Sequence, residues 1–120
     1  MKPGAIGARF EQRALECLER AGLKKVESNY RTRFGELDLV MRHDDTLVFV
    51  EVRYRRHAQF GGGAASIGTA KRARLTRAAL GFLQAHPQLA SMPCRFDVIA
   101  FDGDAEAPRC DWQRAAFEIC

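Results

Sequence analysis

A chain of 120 residues with 47% apolar side chains has the length of one domain and enough apolar material for one ordinary core. No apolar run approaches the ~18 residues of a membrane span, and the N-terminus lacks the apolar stretch of a signal peptide, so a cytoplasmic protein with no membrane partner is expected. The formal charge of +4 and pI near 9.1 allow a nucleic-acid partner without requiring one. Cys17, Cys94, Cys110 and Cys120 form no C-x-x-C pair and have no histidine at zinc-ligand spacing. That argues against a disulfide scaffold or structural zinc, and reduced thiols are expected.

From about Ala5 to Ala21, Ile6, Phe10, Ala14 and Leu18 recur at helical spacing, with Leu15 and Ala21 beside them, and Gly22 supplies a stop. Lys24 to Tyr30 reads as a short strand. Phe34 to Arg42 alternates and reads as a second, followed by turn chemistry at His43, Asp44 and Asp45. Thr46 to Tyr54 is rich in β-branched and aromatic residues and is the strongest strand signal in the chain. A loop from Ala58 to Ser66, with Gly61, Gly62 and Gly63 in succession, leads into a helix from about Ile67 to Ala85. The apolar stripe of that helix is Leu75, Ala78, Ala79, Phe82 and Leu83. His86-Pro87 ends it, because proline disfavours a helical conformation at the residue before it. Arg95 to Phe101 reads as a buried strand, Asp102-Gly103-Asp104 and Pro108 as a turn or loop, and Cys110 to Ile119 as a last strand or a short helix. The order α-β-β-β-α-β-β predicts an α/β fold, a central mixed β-sheet flanked by helices, as one domain over residues 1–120.

Acidic residues interrupt strands that otherwise look buried. Glu36 and Asp38 lie in Gly35-Glu36-Leu37-Asp38-Leu39-Val40, and Glu51 lies in Val48-Phe49-Val50-Glu51-Val52-Arg53. A carboxylate in apolar surroundings is costly unless paired or liganded. Alternation places Glu36 and Asp38 on one face, and Glu51 and Arg53 on one face. A tight turn at Asp44-Asp45 pairs His43 with Thr46, and counting outward sets Asp38 opposite Glu51 and Glu36 opposite Arg53. Like charges facing each other across strands repel, so Asp38 and Glu51 require a cation, either Arg53 or a divalent metal. A solvent-facing acidic edge neutralised by arginine fits the local pattern equally well. Glu11 falls between Leu15 and Leu18 on the helical wheel, and either looks toward the sheet or snorkels to water.

Seven segments together carry a resemblance. They are Phe10-Glu11 with Ala14 and Leu18; Asn29-Tyr30-Arg31; Gly35-Glu36-Leu37-Asp38; Val48-Phe49-Val50-Glu51-Val52-Arg53; Lys71 with Leu75 and Ala79; Arg95-Phe96-Asp97-Val98; and Ala115-Ala116-Phe117. In this order and spacing the chain resembles the bacterial YraN family. That family is similar to the PD-(D/E)xK nucleases, which include restriction endonucleases and Holliday-junction resolvases. The resemblance implies a restriction-endonuclease-like fold and an endonuclease, a hydrolase of DNA phosphodiesters, acting on branched or otherwise structured DNA. It implies Mg²⁺ or Mn²⁺ as cofactor, and a homodimer by analogy with the resolvases. Asp38 matches the motif aspartate, Glu51 the second carboxylate and Arg53 the lysine position, so these three are the catalytic candidates. Asp38, Glu51 and Glu11 are the metal candidates, and Glu36 is secondary. Arginine at position 53 departs from the pattern: it cannot be deprotonated in a protein and so cannot act as a base, although it can stabilise transition-state charge.

Arg55, Arg56, Lys71 and Arg72 are candidate contacts to a nucleic-acid backbone, DNA rather than RNA. Lys71 precedes Leu75 by one helical turn, close enough to the sheet-facing stripe to reach the site or a phosphate. Arg74 and Arg77 read as a solvated face or, together with Arg55 and Arg56, as residues that could track a phosphate backbone. The triple-glycine loop is not a P-loop and reads as a flexible element at the substrate edge. His43, His57 and His86 accompany no nucleophile motif, and Trp112 and Phe117 read as core or interface residues. Two further functions fit the same residues: a nucleic-acid-binding protein that does not cleave, and a protein-interaction module with a vestigial site.

Overall fold

The computed structural model describes residues 4–55, 67–104 and 106–117, with side chains from residue 7 onward. Arg56, His57, the loop at 58–66 and Cys120 lie outside the described residues. The elements run α1 (Gly4–Arg20), β1 (Lys24–Thr32), β2 (Gly35–His43), β3 (Thr46–Arg55), α2 (Thr69–Ala85), a 3-10 turn (Pro87–Leu89), β4 (Cys94–Asp102) and β5 (Arg109–Phe117). The last segment, open between strand and helix from sequence, is a strand.

Local chemistry explains the ends of α1. Phe10, Ala14 and Leu18, one turn apart, are buried. Gly22 takes a φ of +97°. Its N–H donates to the Glu19 carbonyl at 3.0 Å while that of Leu23 donates to the Leu18 carbonyl at 3.0 Å. These are the two bonds of a Schellman motif, and the buried Leu18 and Leu23 are its apolar contact.

The sheet order follows the chain, β1-β2-β3-β4-β5. Only β3 and β4 run parallel, and α2 supplies the crossover that a parallel pair needs. On one face Leu37, Val40, Leu47, Phe49, Phe96 and Val98 pack against Leu75, Ala78, Ala79 and Phe82 of α2. On the other, Leu39, Met41, Val48, Val50, Ile99 and Phe101 pack against Phe10, Ala14 and Leu18 of α1. The central strand β3 is thus covered on both faces, which is why Leu47 to Val50 reads as an unbroken apolar run. The exposed edge strand β1 carries Lys24 and Lys25 at its start, a composition that discourages edge-to-edge pairing. No helix among the described residues is long and apolar enough to cross a membrane.

His86 is a packing residue. Its ring stacks on Phe82 at 4.0 Å, and its Nδ1 lies 2.8 Å from the Phe82 carbonyl. Phe117 stacks on Phe96 at 4.7 Å, and the Trp112 indole N–H donates to Asp97 at 3.0 Å, so both aromatics serve the core. The described cysteines, Cys17, Cys94 and Cys110, are free thiols.

Candidate metal and nucleic-acid site

The β2–β3 hairpin has the register expected from its turn. His43 pairs with Thr46, and the ladder continues to Leu39 opposite Val50. There it ends, although β2 extends back to Gly35 and β3 on to Arg55. Beyond that point β2 pairs only with β1, through Leu37–Tyr30 and Glu36–Arg31, while β3 keeps its partner β4 as far as Asp102. The sheet therefore forks at Asp38 and Glu51, the first residues past the last paired rung. Asp38 Oδ2 accepts a hydrogen bond from the Val52 N–H at 2.9 Å, so a side chain satisfies a backbone donor of β3 at the fork.

The fork opens into a cleft of about 520 Å³. Asp38, Glu51 and Arg53 line it from the strands, Gly35 and Glu36 from the start of β2, Glu11 from α1, and Lys71 and Arg74 from α2. Asp38 is 8% exposed and Glu51 5%. Lys71 Nζ lies 2.8 Å from Glu51 Oε2. That ammonium does not offset the surroundings of Glu51. Burial, followed by the neighbouring Asp38 carboxylate, pushes the Glu51 carboxyl up to about 7 against the opposing pull of Lys71. The Nε of Arg53 is buried with no hydrogen-bond partner.

The remaining sequence candidates divide between the cleft and the core. Glu36 lines the cleft but does not face Arg53 across a ladder, as the extended hairpin count required. The fork removes that rung, and Glu36 instead meets Arg31 at 3.8 Å. Arg55 does not reach a surface where a phosphate could sit. It is buried, and its Nε and Nη2 donate to the two Asp102 oxygens at 2.7 and 2.9 Å, which holds its pKa above the ordinary arginine value. The local sequence could not show that parallel pairing sets Asp102 of β4 beside Arg55. Arg72 is held away from the cleft, its Nε donating to the Ile67 carbonyl at 3.1 Å and its guanidinium 5.2 Å from the Phe117 ring centre. Arg74 lines the cleft, although its sequence context read as a solvated face. Its position three residues after Lys71 was the available signal, since residues three apart share a helix side.

For a divalent ion, the chemistry of the donors is the test. Among the described residues no group of three or more acidic, histidine or cysteine side chains is arranged to enclose one. The chain offers two adjacent carboxylates that line a cleft, Asp38 and Glu51, the second held protonated to higher pH by burial and by the first. That set suits Mg²⁺, which takes one or two carboxylates and completes its shell from water and substrate phosphate. Glu11 lines the cleft without joining the pair as a third ready ligand.

The profile of the Uncharacterised protein family UPF0102 matches residues 10–101. The chain belongs to UPF0102. It is 56% identical over 113 residues to a UPF0102 protein of Xanthomonas campestris pv. campestris (strain B100), covering 94% of this chain and 91% of that one. A UPF0102 protein of Pseudomonas entomophila (strain L48) is 50% identical over 117 residues, 97% of this chain and 95% of the relative. One of Burkholderia vietnamiensis (strain G4 / LMG 22486) is 57% identical over 114 residues, 94% of this chain and 76% of the relative. The UPF0102 match takes in Glu11, both carboxylates at the fork, Arg53 and Lys71, and ends before β5.

Proposed function

We propose that this UPF0102 protein is a divalent-metal-dependent phosphodiesterase that cleaves DNA. The observation that carries the reading is the fork, where Asp38 and Glu51 are buried side by side, the Glu51 carboxyl pushed up by burial and by Asp38, and face an open cleft with three cationic side chains, Arg53, Lys71 and Arg74. A purely structural ion pair would not gain from a second carboxylate that raises the proton affinity of the first.

Asp38 and Glu51 would hold Mg²⁺ or Mn²⁺. Bound there, the ion supplies Lewis-acid stabilisation of the phosphoryl oxygens and eases ionisation of the attacking water. Arg53, permanently charged, stabilises negative charge developing on the phosphoryl group. Lys71 reaches the second carboxylate from a different element. Its ammonium, a compact charge on a flexible stem, takes an orienting part beside that carboxylate. With an ion held by Asp38 and Glu51, the Lys71 ammonium, now 2.8 Å from Glu51, would be free to meet water or phosphate.

The test is a calorimetric titration of Mn²⁺ into the wild type and Asp38→Asn, each with and without a short DNA duplex. Asparagine keeps an oxygen for the Val52 N–H, so the variant should remain folded, as a circular-dichroism melt will verify. Wild-type binding that disappears in Asp38→Asn, together with Mn²⁺-dependent cleavage lost in the same variant, supports the proposal. Equal heats from both proteins overturn it. The Lys71–Glu51 contact favours one second reading, a DNA-binding protein that does not cleave, in which the lysine permanently fills the cation position. It predicts salt-sensitive DNA binding with no Mn²⁺ heat.

A further inference from the structure

Of the four expected backbone-contacting side chains, Arg55 is buried and Arg72 is held against Ile67 and Phe117, yet Arg74 lines the cleft and Arg33 and Arg77 gather beside it. The tip of the β1–β2 hairpin is tightly built. Thr32 Oγ1 donates to the Gly35 carbonyl at 3.0 Å and accepts from the Phe34 N–H at 3.0 Å. This fixes Phe34, half-buried, beside Gly35, which lines the cleft. The Arg33 guanidinium lies 5.0 Å from the Phe34 ring centre, and that of Arg77, from α2, lies 5.9 Å from it. Cation–π contacts of this kind hold a head group in place while leaving its donors outward. Arg74, one helical turn before Arg77, lines the cleft itself. Arg33, Arg74 and Arg77 are all exposed, and no carboxylate pairs with them among the described residues. The nearby acid Glu36 already has Arg31 as its partner.

The geometry points to a phosphate-backbone track made by Arg77, Arg33 and Arg74, ordered around Phe34, that leads a nucleic-acid strand across the hairpin tip and α2 into the fork. Three forked donor groups, two of them pre-positioned on one aromatic ring, match the spaced anionic oxygens of a sugar-phosphate backbone. Their arrangement gives entry a direction: the strand arrives along the α2 side and meets Lys71 and Arg53 last. The inference rests on the DNA-cleaving reading for what happens at the end of the track, but the track itself is a binding surface and can be measured without metal.

The experiment is fluorescence anisotropy of a labelled 20-base-pair duplex in EDTA at several salt concentrations. It compares the wild type with Arg33→Gln/Arg77→Gln and with a control, Lys24→Gln/Lys25→Gln. The control removes the same charge from the far end of β1, roughly 25–30 Å away by strand rise. The track predicts that Arg33→Gln/Arg77→Gln weakens binding roughly tenfold or more at 0.1 M salt. It also predicts that the salt slope falls by about 2, one for each lost phosphate contact, with little change in the control. Phe34→Leu keeps an apolar tip but removes the ring, and should give an intermediate loss. Equal weakening by both double variants would mean net charge alone attracts DNA, and no weakening by the arginine variant would mean that DNA binds elsewhere. Either result overturns the track while leaving the Mn²⁺ titration of Asp38→Asn free to decide the metal site. Absence of salt-dependent DNA binding by the wild type in EDTA likewise overturns the track.

Discussion

Glu51→Gln is expected to make the folded protein more stable than the wild type at pH 8, and to lose that advantage as the pH approaches 4.5. The Glu51 carboxyl titrates near 4.5 when unperturbed and near 7 in the fold, because burial and then Asp38 oppose its ionisation more than Lys71 assists it. A carboxyl whose folded pKa is raised holds its proton more tightly in the native state than in the unfolded chain. Its stabilising contribution is therefore complete below pH 4.5 and is lost as pH rises toward 7. At about 1.4 kcal/mol per pH unit, the wild type should lose up to about 3 kcal/mol across that window. Glutamine, neutral throughout, should lose none of it. Urea unfolding of both proteins at pH 4.5, 6 and 8 checks this directly. Saturating Mn²⁺ should reverse the ranking, because an ion that binds only the native wild type stabilises it by mass action. A variant less stable than wild type at pH 8 in EDTA would show that the Lys71 contact outweighs burial, and that the carboxylate is at ease where it sits.

The second large effect lies away from the cleft. Asp97, wholly buried in β4, accepts hydrogen bonds from Arg95 Nε at 3.0 Å and Nη2 at 3.3 Å, from Trp112 Nε1 at 3.0 Å and from the Ala115 N–H at 3.0 Å. It sits where the β4–β5 ladder is broken, between the Phe96–Phe117 and Val98–Gln113 pairs. Ala115 is there held at a φ of +50°, a conformation that costs a non-glycine residue on the order of 1 kcal/mol. One carboxylate thus replaces the missing ladder bonds and fastens the edge strand. Asp97→Ala leaves a guanidinium, an indole N–H and a backbone N–H without their acceptor, and is expected to cost about 3–5 kcal/mol. Hydrogen exchange should show the amides of β5 losing protection well before those of β3. A loss below about 1 kcal/mol, or protection falling evenly across the sheet, would contradict this account.

Both predictions concern carboxylates in apolar strands, and sequence distinguished them only in part. Asp38 and Glu51 stood out because they interrupt apolar strands on either side of a short turn, and counting outward from the turn sets them side by side, one rung past the last paired residues. Asp97 carried the same anomaly in Arg95-Phe96-Asp97-Val98. Its partners come from β5, a segment whose sequence left strand and helix open, so its structural role could not be read.

The sequence by itself determined the order of elements as far as β4, the two amphipathic helices, the strongest strand β3 and the hairpin register as far as Leu39 and Val50. Each of these depends on residues close together in the chain: a 3.6-residue or 2-residue period, a glycine stop, a two-residue turn. The tertiary structure decided everything that required elements distant in sequence to meet. β2 leaves β3 at Asp38 because it keeps pairing with β1, so Glu36 finds Arg31 and the cleft opens. Lys71 reaches Glu51 because α2, the β3–β4 crossover, carries it to the fork. Arg55 is buried because parallel pairing sets it beside Asp102, a carboxylate 47 residues along the chain. A charged side chain announces in sequence that it needs a partner. Which partner it receives is set by the packing of whole elements, because the low-dielectric interior leaves it no alternative once water is excluded.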